Sequence, residues 1–483
     1  MAERWTEAPA LILPTQTIPY GELHQWFSGV AAHFSNFDVG RGDRVVLMVR
    51  RPDEMARLLL GTMVMATAVP MRVTAGQEAI AQVVHQLQPR AVVCEPEAAA
   101  AWASLGVRVL TPTEVVLPVP SLDWPESAGG GDAEAVIVAT SGTTGLPRYV
   151  VRSHRMVLAA YGHSGRSSAA RAATRVVVTA PPASAMVQAT VFATLLGGGA
   201  VIFPAVGDQG VPTPGAVLEA WRRHGATRIA GTPAFLRALL DLAGGTDLPP
   251  LDEIVASGAS IDPPLVARLQ ERFGAQVING YGLTEAPGLA RSIGDPGMVA
   301  EGWMLPTPGR DLAVVDMQGE PVSPEVEGEI VTRGPHVFTG YLGDPEATRE
   351  AFTADGWFRT GDLGIMDGRG MLRITGRLNE VINRGGEKIA PDEVESILMG
   401  CPGVADAAVF AVSDDRLGEE IAAIVKLQAG AAVDLRTVRR HLLERLPASR
   451  VPREMVIVTE IPRNASGKVM RSLLSAAHRG KGS

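Results

Sequence analysis

Eight short apolar runs constrain this chain more than anything else in it: "DRVVLMV", "AVVCE", "EAVIVAT", "RVVVTA", "AVIFP", "RIAGT", "EIVASG" and "QVINGY". They lack apolar–polar alternation, so each reads as a strand covered on both faces. The segments between them carry helical periodicity. "TPGAVLEAWRRHG", for example, has a start signal, an amphipathic body and a terminal glycine. Strand–helix alternation of this kind predicts an α/β fold of layered, largely parallel sheets. Several of the strands end in Gly, Ser or Thr, where such sheets place their ligand-binding loops.

From about residue 305 the pattern changes to short strands parted by Gly and Pro ("LAVVD", "GEIVTRG", "GMLRITG"). This predicts a small β-rich subdomain over about 305–376, closing a large core of 1–376. After "GRLNEVINRGGEKIAP" a mixed pattern resumes in "EVESILMG", "VADAAVFAV" and "LRTVRRHLLERL". A small α+β C-terminal domain over 377–483 is expected, with the polar, glycine-bearing stretch 376–388 as its boundary. A length of 483 residues accommodates such a division.

Composition narrows the function classes. Hydrophobic residues at 46% and charged residues at 20% are ordinary for a globular protein. A net charge of −8 gives no reason to expect a nucleic-acid partner, which would favour a basic face. Cys94 and Cys401 are too far apart in sequence to form a metal-ligand spacing or a disulfide framework. With charges where a signal peptide needs an apolar core, "MAERWTEAPA" leaves the cytoplasm as the expected compartment. Val176 to Gly207 holds no charge, but Pro181, Pro182, Pro204 and Gly197–Gly199 interrupt it. No apolar span of about 18 residues survives, so no membrane partner is expected.

The stretch "VATSGTTGLPRYV" (Val138–Val150) carries the first chemistry. It lacks the Walker spacing. Gly142 and Gly145 let the backbone approach an anion, while Thr140, Ser141, Thr143 and Thr144 supply hydroxyls. Arg148 adds a charge-assisted donor. Taken together, these residues can wrap phosphate oxygens, with a plain polar loop as the alternative for the stretch alone.

Four further stretches follow in order: "NGYGLTEA" (279–286), "GWFRTGDLG" (356–364), "GRLNEVINRGGEKIAPDEVE" (376–395) and "PRNASGKVMR" (462–471). With the first, they resemble the adenylate-forming superfamily of acyl-CoA synthetases, aryl-acid–AMP ligases, peptide-synthetase adenylation domains and luciferases, over roughly residues 20–475. The resemblance implies that a small carboxylic acid and ATP give acyl-AMP and pyrophosphate. Thr284 and Glu285 then offer oxygens to Mg²⁺, a hard cation. Tyr281 offers a flat face to adenine, and Gly258, Ala259, Gly280 and Gly282 join the ATP site. Asp362 would accept from the ribose hydroxyls, and Arg377 would touch ribose or phosphate. Lys468 matches the family's catalytic lysine, an ammonium for the charge developing where two anions meet.

The resemblance also implies a second half-reaction after the C-terminal domain swings about Asn379. Gly385, Gly386 and Lys388 would then line the path of a pantetheine thiol, from coenzyme A or from the phosphopantetheine of an acyl carrier protein. Sequence does not separate these acceptors. A non-catalytic nucleotide-binding homologue is opposed by the intact Thr284, Glu285, Asp362, Arg377 and Lys468.

Four positions depart from the family pattern. Arg148 stands where lysine is usual, and Asn379 where aspartate or lysine is usual. In "PPASAMVQ", Ala185 and Met186 replace the His-Asn pair of hydroxybenzoate ligases. Ala183, Ala185 and Met186 with Ser257 predict a small, largely apolar acid pocket, and within "PPASAMVQ" only Ser184 and Gln188 can hydrogen-bond through their side chains. An aryl or medium-sized apolar acid fits it best.

Overall fold

All eight apolar runs form strands, and burial on two faces accounts for their composition. Val45, Val46 and Leu47 in Arg44–Met48 have no solvent exposure, nor do Ala91, Val92 and Val93 in Ala91–Cys94. β-Branched side chains pack well on such a pleated surface once both faces are covered. The computed structural model describes residues 6–115, 130–140, 148–162, 173–208, 210–259, 261–292, 296–463 and 469–479.

The runs divide between two sheets, a partition that a linear pattern cannot show. Arg44–Met48, Ala91–Cys94 and Glu134–Thr140 belong to a seven-stranded sheet. Arg175–Val177, Ala200–Ile202, Arg228–Gly231, Glu253–Ser257 and Gln276–Tyr281 are parallel neighbours in a thirteen-stranded one. That larger sheet continues antiparallel through Ala290–Arg291, Trp303–Pro306, Leu372–Arg377, Phe358–Met366, Gly328–Arg333 and Asp311–Val315. The β-rich stretch is therefore hydrogen-bonded into the parallel core.

The charge-free segment supplies the layer between the sheets. On the helix Ala185–Gly197, Phe192 packs with Val45 and Leu47 of the smaller sheet. Val191 and Leu195 on the same helix pack with Leu11 and Val201 of the larger. A helix pressed from both sides is apolar all round, as this one is. The surface helix Pro214–His224 instead shows the expected ends: the Thr213 hydroxyl accepts from the Ala216 amide, and Gly225 closes it at φ +62°.

The large sheet ends at Arg377, and the next strand, Ile382–Arg384, belongs to a separate five-stranded sheet. The long strand Val404–Asp414 shows why that sheet carries helices on both faces. Ala407 and Val409 join Val394, Leu398, Val438 and Leu442 from the helices Pro391–Met399 and Leu435–Leu443. Ala408, Phe410 and Val412 point the other way, toward Leu474 of Arg471–Arg479. The mixed α/β architecture with a smaller C-terminal α+β unit is thus the one expected. Arg237 Nη1 from the large unit donates to the Ala405 carbonyl of the small one at 3.1 Å.

Candidate active site

Parallel pairing brings the first candidates together. Ser257 lies opposite Gly280, so the strand ends set Ser257, Gly258 and Ala259 beside Gly280, Tyr281 and Gly282. Gly258 takes φ +84°, a conformation open to glycine. Beyond Tyr281 the chain folds back, with the Leu289 amide donating to the Tyr281 carbonyl at 2.8 Å and Leu283 and Ala286 exchanging amide bonds. A β-carbon on Gly282 would fall 2.5 Å from the Gly288 nitrogen, so only glycine allows this turn. The turn presents Thr284 and Glu285.

A three-residue polar wall stands next to it. Asp362 and Arg377 are cross-strand partners at the end of the large sheet. Arg377 Nε lies 2.8 Å from Asp362 Oδ1, and the Tyr281 hydroxyl donates to Asp362 Oδ2 at 2.8 Å. Asp362 is only 2% exposed. Burial, reinforced by the Asp362 charge, pushes the Tyr281 hydroxyl well above its ordinary value, so it remains a donor. Tyr281 is thus tied to the ribose-binding candidate as well as standing on the strand end.

A second group surrounds Glu285. The Tyr341 hydroxyl donates to Glu285 Oε1 at 3.0 Å, and the Arg148 guanidinium lies 5.3 Å from the centre of the Tyr341 ring. Burial pushes the Glu285 carboxyl up. Its own backbone amide, the Tyr341 hydroxyl and the charges of Arg152 and Arg377 act in the opposite direction. Thr140 and Arg148 pair across a hairpin, with Thr140 Oγ1 donating to the Arg148 carbonyl at 3.3 Å. The two ends of the phosphate loop are therefore clamped together; Ser141, Gly142, Thr143, Thr144 and Gly145 lie outside the described residues.

The donor set tests the expectation of a metal. Thr284 and Glu285 offer hard oxygens on one turn, as Mg²⁺ requires. Among the described residues no cluster of three or more His, Cys, Asp or Glu could hold an ion alone. The residues therefore fit a cation that takes its remaining ligands from nucleotide phosphates and water.

In the acid-pocket stretch both polar side chains already have roles. The Ser184 hydroxyl caps the helix by accepting from the Val187 amide at 3.3 Å, and Gln188 Oε1 accepts from Arg152 Nη1 at 3.2 Å. Ala183, Ala185 and Met186 are partly buried against the core. Arg152 itself was not singled out by sequence, nor was Tyr341. A strand residue in "RYVVRSH" gives no sign that an arginine there is buried, and Tyr341 joins the site only through long-range pairing with the strand Arg148–Ser153.

The remaining candidates lie elsewhere. Asn379 is exposed in the turn after Arg377, where the Glu380 and Val381 amides donate to the Arg377 carbonyl at 3.0 Å. Gly385 and Gly386 form an exposed hairpin tip at φ +59° and +95°, near Leu417 of their own sheet, with Lys388 exposed beside them. Lys468 lies outside the described residues. Three positions later, Arg471 is held by Glu380, Asp392 and Glu395, and its Nε donates to the Val409 carbonyl at 3.0 Å.

Comparison with known proteins agrees with this geometry. The model of the AMP-binding enzyme family matches residues 1–342, and that of the AMP-binding enzyme C-terminal domain matches 393–468. A sulfoacetate–CoA ligase of Cupriavidus necator is 32% identical over 97% of this chain and 95% of its own. A feruloyl-CoA synthase of Amycolatopsis sp is 31% identical over 94% and 92%. The crystal structure of ATP-bound MatB from Rhodopseudomonas palustris superposes with a TM-score of 0.87 at 26% identity, covering 98% of this chain and 96% of that one. The chain belongs to the AMP-binding, adenylate-forming family of enzymes. Among the described residues no helix is long and apolar enough to cross a membrane.

Proposed function

We propose that this enzyme is an AMP-forming acid–thiol ligase. A carboxylate oxygen attacks the α-phosphorus of ATP, pyrophosphate leaves, and the acyl-AMP is then attacked by the thiol of coenzyme A to give a thioester and AMP. The observation that carries the reading is the adjacency of the Tyr281–Asp362–Arg377 wall to the Thr284–Glu285 turn. One pairs a buried carboxylate with a cation and a hydroxyl; the other offers oxygens for a phosphate-bound metal.

In this reading Asp362 accepts from the ribose hydroxyls and Arg377 neutralises charge beside them. The clamped loop from Thr140 to Arg148 wraps the outer phosphates. Thr284 and Glu285 would hold Mg²⁺, which neutralises charge on the phosphate oxygens when bound. Lys468 supplies the ammonium for the pentavalent transition state, where preorganised charge is most effective. The C-terminal domain beyond Asn379 then turns about that residue, bringing the Gly385–Gly386 tip toward the thiol path. Among the described residues, its chain neighbours aside, no atom lies within 4 Å of a β-carbon position on Gly386, which leaves room for a thin pantetheine arm.

The acid is an aryl or medium-sized apolar one. Ala183, Ala185 and Met186 offer it no charge, the Ser184 hydroxyl caps its own helix, and the Gln188 oxygen is held by Arg152. The relatives are named for different acids, sulfoacetate and ferulate, so this part of the reading rests on the pocket residues rather than on the family.

Carboxylate-dependent ATP–pyrophosphate exchange over a panel of aryl, alkyl and amino acids tests the first step. Exchange with at least one apolar acid is expected, and silence from folded protein with every acid and magnesium overturns the reading. Acids that exchange are then offered with coenzyme A and with phosphopantetheinylated carrier proteins. Thioester on coenzyme A is expected; thioester on a carrier alone would move the acceptor.

A further inference from the structure

Arg152 is 1% exposed, among the least exposed large side chains of the protein. Its hydrogen-bond acceptors among the described residues are all neutral oxygens. Nε and Nη2 converge on the Thr284 carbonyl at 3.0 and 2.7 Å, while Nη1 reaches Gln188 Oε1 at 3.2 Å and the Tyr161 hydroxyl at 3.5 Å. Burying a guanidinium costs several kcal/mol, which the nearby Glu285 charge works against, and an apolar side chain of similar volume is often the more stable choice even where such a pair exists. Stability alone therefore gives no reason for an arginine here.

The three groups it joins belong to three separate parts of the site. Thr284 is on the turn that offers oxygens to the metal. Gln188 is on the helix Ala185–Gly197, whose start lines the acid pocket. Tyr161 ends the helix His154–Tyr161 that follows the phosphate-loop hairpin. Gln188 is also 1% exposed, and its Nε2 makes no hydrogen bond among the described residues, so Arg152 provides the polar tether that fixes this amide. A planar fork can hold a carbonyl and an amide at fixed angles at once; a lysine ammonium cannot reproduce that spread.

We propose that Arg152 is a positioning residue that couples the acid-pocket helix to the metal-holding turn, so that a change at Gln188 is felt in nucleotide binding. The inference rests on the ligase reading given above. It makes Gln188 more than a wall of the acid pocket, because its orientation is transmitted through one guanidinium to the Thr284 carbonyl.

The test is calorimetric titration of ATP, with magnesium and with EDTA, into wild type, Gln188→Leu, Arg152→Lys and the double variant. Wild type binds ATP more tightly with magnesium. Gln188→Leu weakens magnesium–ATP binding by about threefold or more but leaves binding in EDTA unchanged, and it has no further effect once Arg152→Lys is present. Non-additivity of this size is what hydrogen-bonded neighbours show. Equal effects of Gln188→Leu in both backgrounds, or equal weakening with and without magnesium, overturn the coupling. If Arg152→Lys does not fold, the magnesium–EDTA comparison on Gln188→Leu alone still decides. Wild type that binds no ATP under either condition would instead sink the ligase reading, and the coupling with it.

Discussion

The Tyr281–Asp362–Arg377 wall and the Gly385–Gly386 tip are both assigned to the chemistry of one reaction, yet they are built in opposite ways. The wall is buried, joined across strands and tied by a hydroxyl and a guanidinium to one carboxylate. The tip is exposed, with the Gly385 amide donating to the Leu417 carbonyl at 2.9 Å and the Gly386 amide to Asn383 Oδ1 at 3.1 Å. A site that must stabilise charge gains from fixed dipoles. A strip that must leave one half-reaction and enter another needs free surface and a conformation that tolerates passage. On the proposed reading, rigidity and exposure follow from when each part is used.

The largest effect expected from breaking this contrast is on the C-terminal side. Lys468→Ala should lower pyrophosphate exchange by about 10²–10³-fold, as loss of a single transition-state donor does, while ATP binding persists. Equal exchange rates would remove the lysine from the mechanism.

The fixed side has a dry foundation that acid should expose. His336 has no solvent exposure, and its Nε2 pairs with Thr332 Oγ1 at 3.0 Å. Burial, with the Arg310 charge, lowers its pKa to about 4. The unfolded chain therefore takes up the proton first, near pH 6.5. The stabilising contribution is present above that value and is lost as pH falls to about 4, a change of about 3 kcal/mol. Denaturant melts of wild type and His336→Phe over pH 4–7 should show a steeper acid decline in wild type. Parallel curves would contradict a neutral buried imidazole.

The tip should respond selectively. Gly386→Trp is expected to cut thioester formation by more than about tenfold while adenylation stays within about twofold, since a side chain would fill the open space at φ +95°. Thioester formed at the wild-type rate would take the tip off the thiol path. The smallest effect belongs to Arg148→Lys. A point charge keeps the phosphate contact but loses the flat face over Tyr341, so a KM change for ATP of less than about fivefold is expected. A larger change would make the cation–ring contact part of nucleotide binding.

Sequence revealed the strands and the charge-bearing motifs because both are local. Val45–Leu47 declare a buried strand by composition, and "YGLTE" or "RTGD" carries its hydroxyls and carboxylates within a few residues. The division of strands between two sheets was not legible, because the helix Ala185–Gly197 looks equally apolar toward either. Gly282 could be quoted as part of a motif, but its reason lies in the return of Gly288 to within van der Waals contact. Arg152 and Tyr341 were invisible for a similar reason. Each acquires its role from a partner more than thirty residues away, Gln188 and Thr284 for one and Glu285 for the other.

The central claim is that a carboxylate fixed between Tyr281 and Arg377 reads the ribose of ATP. Calorimetric titration of wild type and Asp362→Ala with magnesium–ATP and magnesium–2′,3′-dideoxy-ATP tests it most directly. Wild type should bind ATP at least about tenfold more tightly than the dideoxy analogue, since hydrogen bonds to a charged group are each worth about 1.5–3 kcal/mol, and Asp362→Ala should abolish the difference. Equal affinity of wild type for the two nucleotides would contradict the account.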